Sequence, residues 1–175
     1  MSDDFKINDA TYSGTKEVDQ NLKFDTNLLQ DWMHEHIPNC ESISSVEQFK
    51  GGQSNPTYKI LTKTDAYVLR RKPPGKLLPK AHAVDREYKV ISALEETDVP
   101  VPKTFGLCDD HDVVGTPFFM MEFVEGKVFW DHLLPSCSKT ERAQIYRNKN
   151  RVIAALHGVD SVSYTHLTLP TSCCV

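Results

Sequence analysis

The chain has 175 residues, 39% of them hydrophobic, which suffices for one domain with its own core and excludes a wholly disordered protein. A net charge of −4 argues against a dedicated nucleic-acid binder, and no run approaches the ~20 apolar residues of a transmembrane helix. The acidic start Met1-Ser2-Asp3-Asp4-Phe5 is neither a secretory signal nor an arginine-rich presequence, and Cys40, Cys108, Cys137, Cys173 and Cys174 follow no metal-ligand spacing; reduced thiols inside the cell are expected, in the cytoplasm by default.

Residues 1–24 are polar and read as a flexible arm. From Asp25 onward Leu28, Leu29, Trp32 and Met33 recur at helical spacing, with Pro38 beyond the end, and predict a short amphipathic helix. His34 and His36 on it are two apart, point in different directions and read as surface residues. Ser45 to Phe49, Thr57 to Thr62 and Ala66 to Leu69 then read as three strands of an antiparallel meander. Between the first two, Gly51-Gly52-Gln53-Ser54-Asn55 is a glycine turn in which amide groups can approach a ligand and Ser54 and Asn55 add side-chain donors. By itself that turn is equally an ordinary hairpin.

The third strand is the pivot of the reading. Tyr67-Val68-Leu69 delivers Arg70 at its end, and Pro73-Pro74 forbids further sheet pairing, so a cation is presented at a fixed point. Arg70, Arg71, Lys72, Lys76 and Lys80 crowd together, as either a solvated loop or a patch facing phosphate. Lys80 to about Glu96 is the clearest helix, with Ala81, Val84, Tyr88, Ile91 and Leu94 on one apolar face. Glu87 borders that face. Helix statistics favour exposure for such a carboxylate, yet its position relative to Arg70 sets up a pair across sheet and helix. Val99-Pro100-Val101-Pro102 leads extended chain into strands at Thr104 to Cys108 and Phe118 to Val124. The turn Asp109-Asp110-His111-Asp112 invites a metal reading, but its spacing matches no calcium loop. Phe118-Phe119-Met120-Met121 is apolar enough for a strand buried on both faces, and Glu122-Phe123-Val124-Glu125-Gly126 ends it in a linker able to offer backbone groups to a flat heterocycle. Ser138-Lys139-Thr140-Glu141 is a capping box opening a further helix through Ile145, Val152, Ile153 and Leu156.

Residues from about 24 to 160 resemble the aminoglycoside phosphotransferase-like kinases, and within them the kinase-like domain at the N-terminus of the long acyl-CoA dehydrogenase family members ten and eleven. The segments carrying the resemblance are Ser54-Asn55-Pro56-Thr57, Tyr67 through Gly75, Leu77-Leu78-Pro79-Lys80-Ala81-His82, Asp85-Arg86-Glu87, Val99 through Pro102, Met121-Glu122 and Leu156-His157-Gly158-Val159-Asp160. The resemblance implies ATP with magnesium as cofactor. The turn around Gly51 and Gly52, with Ser54 and Asn55, would cover ATP; Arg70 would meet the phosphates and Glu87; and Met121, Glu122 and Val124 would form the adenine-contacting hinge. It also implies phosphorylation of a small-molecule hydroxyl, in close relatives that of 4-hydroxyacyl-CoA thioesters, in a parent fused to an acyl-CoA dehydrogenase domain, for which mitochondrion and peroxisome are open. A non-catalytic nucleotide-binding or interaction module is the alternative.

Two departures stand out. Arginine occupies position 70 where the antibiotic kinases carry lysine; the dehydrogenase-linked relatives share the arginine, which marks a branch feature. The His-Gly-Asp catalytic loop with its asparagine and later magnesium aspartate has no counterpart, since His157-Gly158-Val159-Asp160 reads as a helix end; no catalytic residue or metal ligand is therefore assigned. Val162 through Thr171 equals the translation of a transposase-type sequencing adapter, so residues 161–175 are expected to be a non-native tail. The expected fold is α+β: residues 25–126 as a kinase-like N-terminal lobe, a five-stranded antiparallel sheet with one packed helix, and residues 127–160 as the start of a second lobe that the chain lacks.

Overall fold

The computed structural model describes residues 13–51, 54–75 and 82–160. Six antiparallel strands form one sheet: β1 (Thr15–Lys16), β2 (Ser45–Phe49), β3 (Thr57–Leu61), β4 (Ala66–Arg71), β5 (Thr104–Cys108) and β6 (Phe118–Glu122), in the order β1-β2-β3-β4-β6-β5. Strand β6 inserts between β4 and β5, which is why its Phe118, Phe119 and Met120 are all fully buried. Of the helices, α1 spans Thr26–His36, α2 Val84–Leu94, α3 the single turn His111–Val114 and α4 Lys139–His157. The architecture is the α+β lobe expected, with one strand more.

Alternation along each strand sorts side chains onto two faces. Tyr58 and Ile60 of β3, Tyr67 and Leu69 of β4, and Phe118 and Met120 of β6 pack with Leu29, Trp32, Met33 and Ile37 in the main hydrophobic core. Helix α1 therefore supplies the core-forming layer, although the sequence pointed to the later helix as the packed one. Asp25 caps α1 by accepting from the Asn27 amide at 2.8 Å. Trp32 lies edge-on to Phe118 and sits so close to Gly106 that a β-carbon there would meet its ring at 3.2 Å. That close approach coincides with the β-bulge between β5 and β6 and explains the glycine.

The arm is less loose than its composition suggested. Residues 15 and 16 pair with β2, Gly14 O accepts from Lys50 N at 3.1 Å, and the Asp19 amide donates to Gln48 Oε1 at 3.0 Å. Farther in, Leu22 O accepts from Arg71 Nη2 at 2.8 Å, and the Phe24 ring stands edge-on to Tyr58. Strand β4 also runs one residue past Arg70, and Arg71 turns into this layer with 3% exposure. It belongs to neither the solvated loop nor the phosphate-facing patch that the basic cluster suggested; Lys76 and Lys80 lie outside the described residues.

Helix α2 covers the other face, through β5 and β6, with Tyr88 tilted against Phe119 at 6.1 Å. Only Val84 and Leu94 of it are buried; Ala81, expected on the same apolar face, lies outside the described residues. In the turn 109–112 Asp110 caps α3, accepting from the Asp112 amide at 2.8 Å, and Gly115 closes it in the left-handed conformation. Helix α4 carries the expected capping box between Ser138 and Glu141, but none of its residues is buried. No helix among the described residues is long and apolar enough to cross a membrane.

Candidate functional site

Strand parity that sends Arg71 into the core sends Arg70 to the opposite face, opposite Thr57 in the β3–β4 ladder. Its guanidinium meets Glu87 of α2 along one edge: Nε donates to Oε2, and Nη2 to Oε1 at 3.3 Å. Nη1 donates to Thr57 Oγ1 at 2.9 Å. The side chains of Arg70 and Glu87 are 26% and 36% exposed, so the pair sits at a cleft wall rather than inside the core. Of five guanidinium N–H groups these bonds use three. An N–H on each terminal nitrogen remains for a ligand, as befits an arginine that grips a carboxylate side-on and an oxyanion end-on.

Arg70 lines a cleft of about 1040 Å³. Gly51 and Phe49 border it at the glycine turn, Val68 and Lys59 form part of its sheet wall, and Met121 through Val124 run along the opposite side. Phe49 and Phe123 stack at 6.4 Å, and Lys59 Nζ stands 4.1 Å from the Phe123 ring centroid. Ser13, Gly14 and Trp130 also reach the cleft, where Trp130 Nε1 donates to Ser13 Oγ at 2.8 Å. Glu122 N is spent on Lys103 O at 2.8 Å, whereas Phe123 and Val124, beyond the end of β6, have no backbone hydrogen-bond partner among the described residues. A planar heterocycle with a donor and an acceptor edge matches such a stretch, and the surrounding apolar side chains suit its faces.

Of the nine residues singled out from the sequence, Gly51, Arg70, Met121, Glu122 and Val124 meet around this one cleft. Glu87 stands behind Arg70 and acts on the cleft through it. Ser54 is exposed but does not line the cleft, and Gly52 lies outside the described residues. Asn55 differs from the expectation of an exposed donor: it is 2% exposed and its amide is turned inward to Glu87 and His82, away from the glycine turn. Thr57, Lys59, Phe49 and Trp130 were missed. The first two were recoverable, because two-residue periodicity through β3 and its pairing with β4 places Thr57 and Lys59 on the face of Arg70. Trp130 was not, since its approach to residue 13 is a contact across nearly the whole described chain. No group of three or more metal-ligating side chains occurs among the described residues.

Comparison with known proteins adds the following. The model of the phosphotransferase enzyme family (APH) matches residues 45–169, a range that runs into the segment after 160. Acyl-CoA dehydrogenase family member 11 of Rattus norvegicus is 43% identical over 150 residues, 83% of this chain and 19% of the relative. The probable acyl-CoA dehydrogenase IBR3 of Arabidopsis thaliana is 50% identical over 129 residues, 71% of this chain and 16% of the relative. A solved protein of Ralstonia eutropha, described as an aminoglycoside phosphotransferase, superposes with a TM-score of 0.69 at 48% identity, over 81% of this chain and 40% of that one. The chain thus spans about a fifth of the length of the curated relatives it matches.

Proposed function

The chain belongs to the phosphotransferase enzyme family, and from that premise we propose that it is the nucleotide-holding part of an ATP-dependent kinase for a small-molecule hydroxyl. The observation that carries the reading is the Arg70–Glu87 pair on the cleft wall, with two guanidinium N–H groups left toward the cleft. In this reading Arg70 meets the phosphates end-on while Glu87 holds its other edge, Gly51 and its neighbours close over them, and Phe123 and Val124 offer peptide groups to the adenine edge between Phe49, Val68 and Met121. ATP supplies the transferable phosphoryl group. Phosphoryl transfer depends on positioning and on charge placed to meet the developing negative charge; Arg70 is suited to contribute part of that charge. The described residues offer no magnesium cluster, so a magnesium ion and the proton acceptor for the substrate hydroxyl belong, in this proposal, to polypeptide beyond the cleft described.

Similarity to proteins named as acyl-CoA dehydrogenases supports a parent in which a dehydrogenase follows, and 4-hydroxyacyl-CoA thioesters as the substrates. The helix α4, nowhere buried, fits a segment that packs on following chain. The test is phosphate transfer from labelled ATP to a panel of hydroxyacyl-CoA thioesters, by this chain and by one extended through its native downstream sequence. Turnover by the extended chain alone is expected. Robust turnover by the short chain would overturn the division of labour proposed here, and inactivity of both would favour a non-catalytic nucleotide-binding module.

A further inference from the structure

Resting on the reading of the cleft as a phosphate-holding site, we propose that Asn55 and His82 form a positioning pair that sets the orientation of Glu87 and, through it, of Arg70. Asn55 is 2% exposed, and both ends of its amide are engaged: Nδ2 donates to Glu87 Oε1 at 2.9 Å, and Oδ1 lies 2.9 Å from His82 Nδ1. A carboxylate only accepts, so the amide nitrogen has to face Glu87 and the amide oxygen has to face His82. The imidazole must then carry its proton on Nδ1. The direction of every hydrogen bond from His82 to Arg70 is thereby fixed.

His82 stands where such a control has leverage. It adopts φ of 56°, a left-handed conformation that side-chain-bearing residues seldom take, and its carbonyl accepts from Val84 N at 2.9 Å at the very start of α2. That helix has no side-chain cap of its own. The bond to Asn55 ties the helix start to the exit of the glycine turn, one helical turn before Glu87. Glu87 Oε1 is shared between Asn55 and Arg70 Nη2, while Oε2 is held by Arg70 Nε. Remove the Asn55 donor and the carboxylate can rotate about its terminal bond, carrying the guanidinium edge away from the cleft. Neither Asn55 nor His82 lines the cleft; they act through Glu87.

The test combines nitrogen NMR with nucleotide titration on the chain itself and on its His82→Ala and His82→Gln variants, glutamine retaining an N–H donor. In the unsubstituted chain the His82 ring should show a protonated Nδ1 and a bare Nε2, and the Arg70 Nε–H should exchange slowly. His82→Ala should speed that exchange and weaken ATP binding, each by about tenfold, the size expected for a lost hydrogen bond to a charged group; His82→Gln should recover most of both. A proton on Nε2 instead, or Arg70 exchange equal in all three proteins, would overturn the proposal. Should His82→Ala not fold, the tautomer and the glutamine variant still decide. If Arg70 exchange responds as described but ATP binds to none of the proteins, the positioning pair stands and the nucleotide reading falls.

Discussion

Arg70 and Arg71 are adjacent on one strand and have opposite fates. Arg71 faces the α1 layer: Nη1 donates to Val114 O at 2.6 Å, Nη2 to Leu22 O at 2.8 Å, and its guanidinium carbon lies 5.3 Å from the ring centroids of Phe24 and Tyr58. Its Nε is buried with no partner. Carbonyls and ring faces satisfy most of this cation, no carboxylate pairs with it among the described residues, and it fastens the N-terminal segment and the α3 turn to the sheet. Arg70 faces the cleft, spends one edge on Glu87 and keeps the other. One step of strand parity separates a cation that builds the fold from a cation placed to meet a ligand.

Exchanging their side chains in turn is the strongest way to break that comparison. Arg71→Met leaves the Leu22 and Val114 carbonyls buried without donors and should lower stability by on the order of 3 kcal/mol in chemical denaturation. Nucleotide affinity of the folded fraction should stay unchanged. Arg70→Met should do the reverse, with less than about 1 kcal/mol of stability lost for a half-exposed pair but at least about tenfold weaker nucleotide binding. Equal stability losses in the two variants would erase the distinction.

Gly106→Ala probes the α1 face alone. The added methyl would meet Trp32 at 3.2 Å and His36 at 3.3 Å, so a loss of about 1–3 kcal/mol is expected in thermal or chemical unfolding, with no change at the cleft. The same face has an alkaline signature. Burial pushes the Tyr67 phenol up to about 12, helped by the neighbouring Cys40 thiol. With the folded value above the unfolded one of 10.0, the unfolded chain releases its proton first; stability is fully present below pH 10 and declines as pH rises toward 12. Tyr67→Phe should flatten that part of the profile, leaving the contribution of Cys40, which burial also raises. The smallest effect is expected on α4, where Ile153→Lys should change stability by less than about 0.5 kcal/mol, because that side chain is 41% exposed.

What the sequence revealed follows the range of the forces involved. Alternation in β3, β4 and β6, the capping box at Ser138 and the helix through Glu87 are local patterns, and each is where the periodicity placed it, within a few residues. The Arg70–Glu87 contact was legible too, since a strand end and the border of an apolar helix face define where each side chain points. Asn55 was misjudged because a polar residue after two glycines looks like a loop donor; only the three-dimensional neighbourhood of Glu87 and His82 shows its amide to be internal. The sixth strand and the anchoring of residues 13–24 were hidden for a similar reason. That segment is polar and gains its place through hydrogen bonds to Gln48 and Arg71 and the Phe24 ring against Tyr58, none of which leaves a periodic trace.

The claim that the Arg70 face is a nucleotide cleft is tested most directly by following the backbone amides of Phe123 and Val124 and the Arg70 Nε–H while ATP is titrated in. The account predicts that these three signals move together, saturating at one ATP concentration, while the amides of Leu29, Trp32 and Met33 on the other face stay still. Shifts confined to the α1 face, or to α4, with the cleft signals unmoved would contradict it.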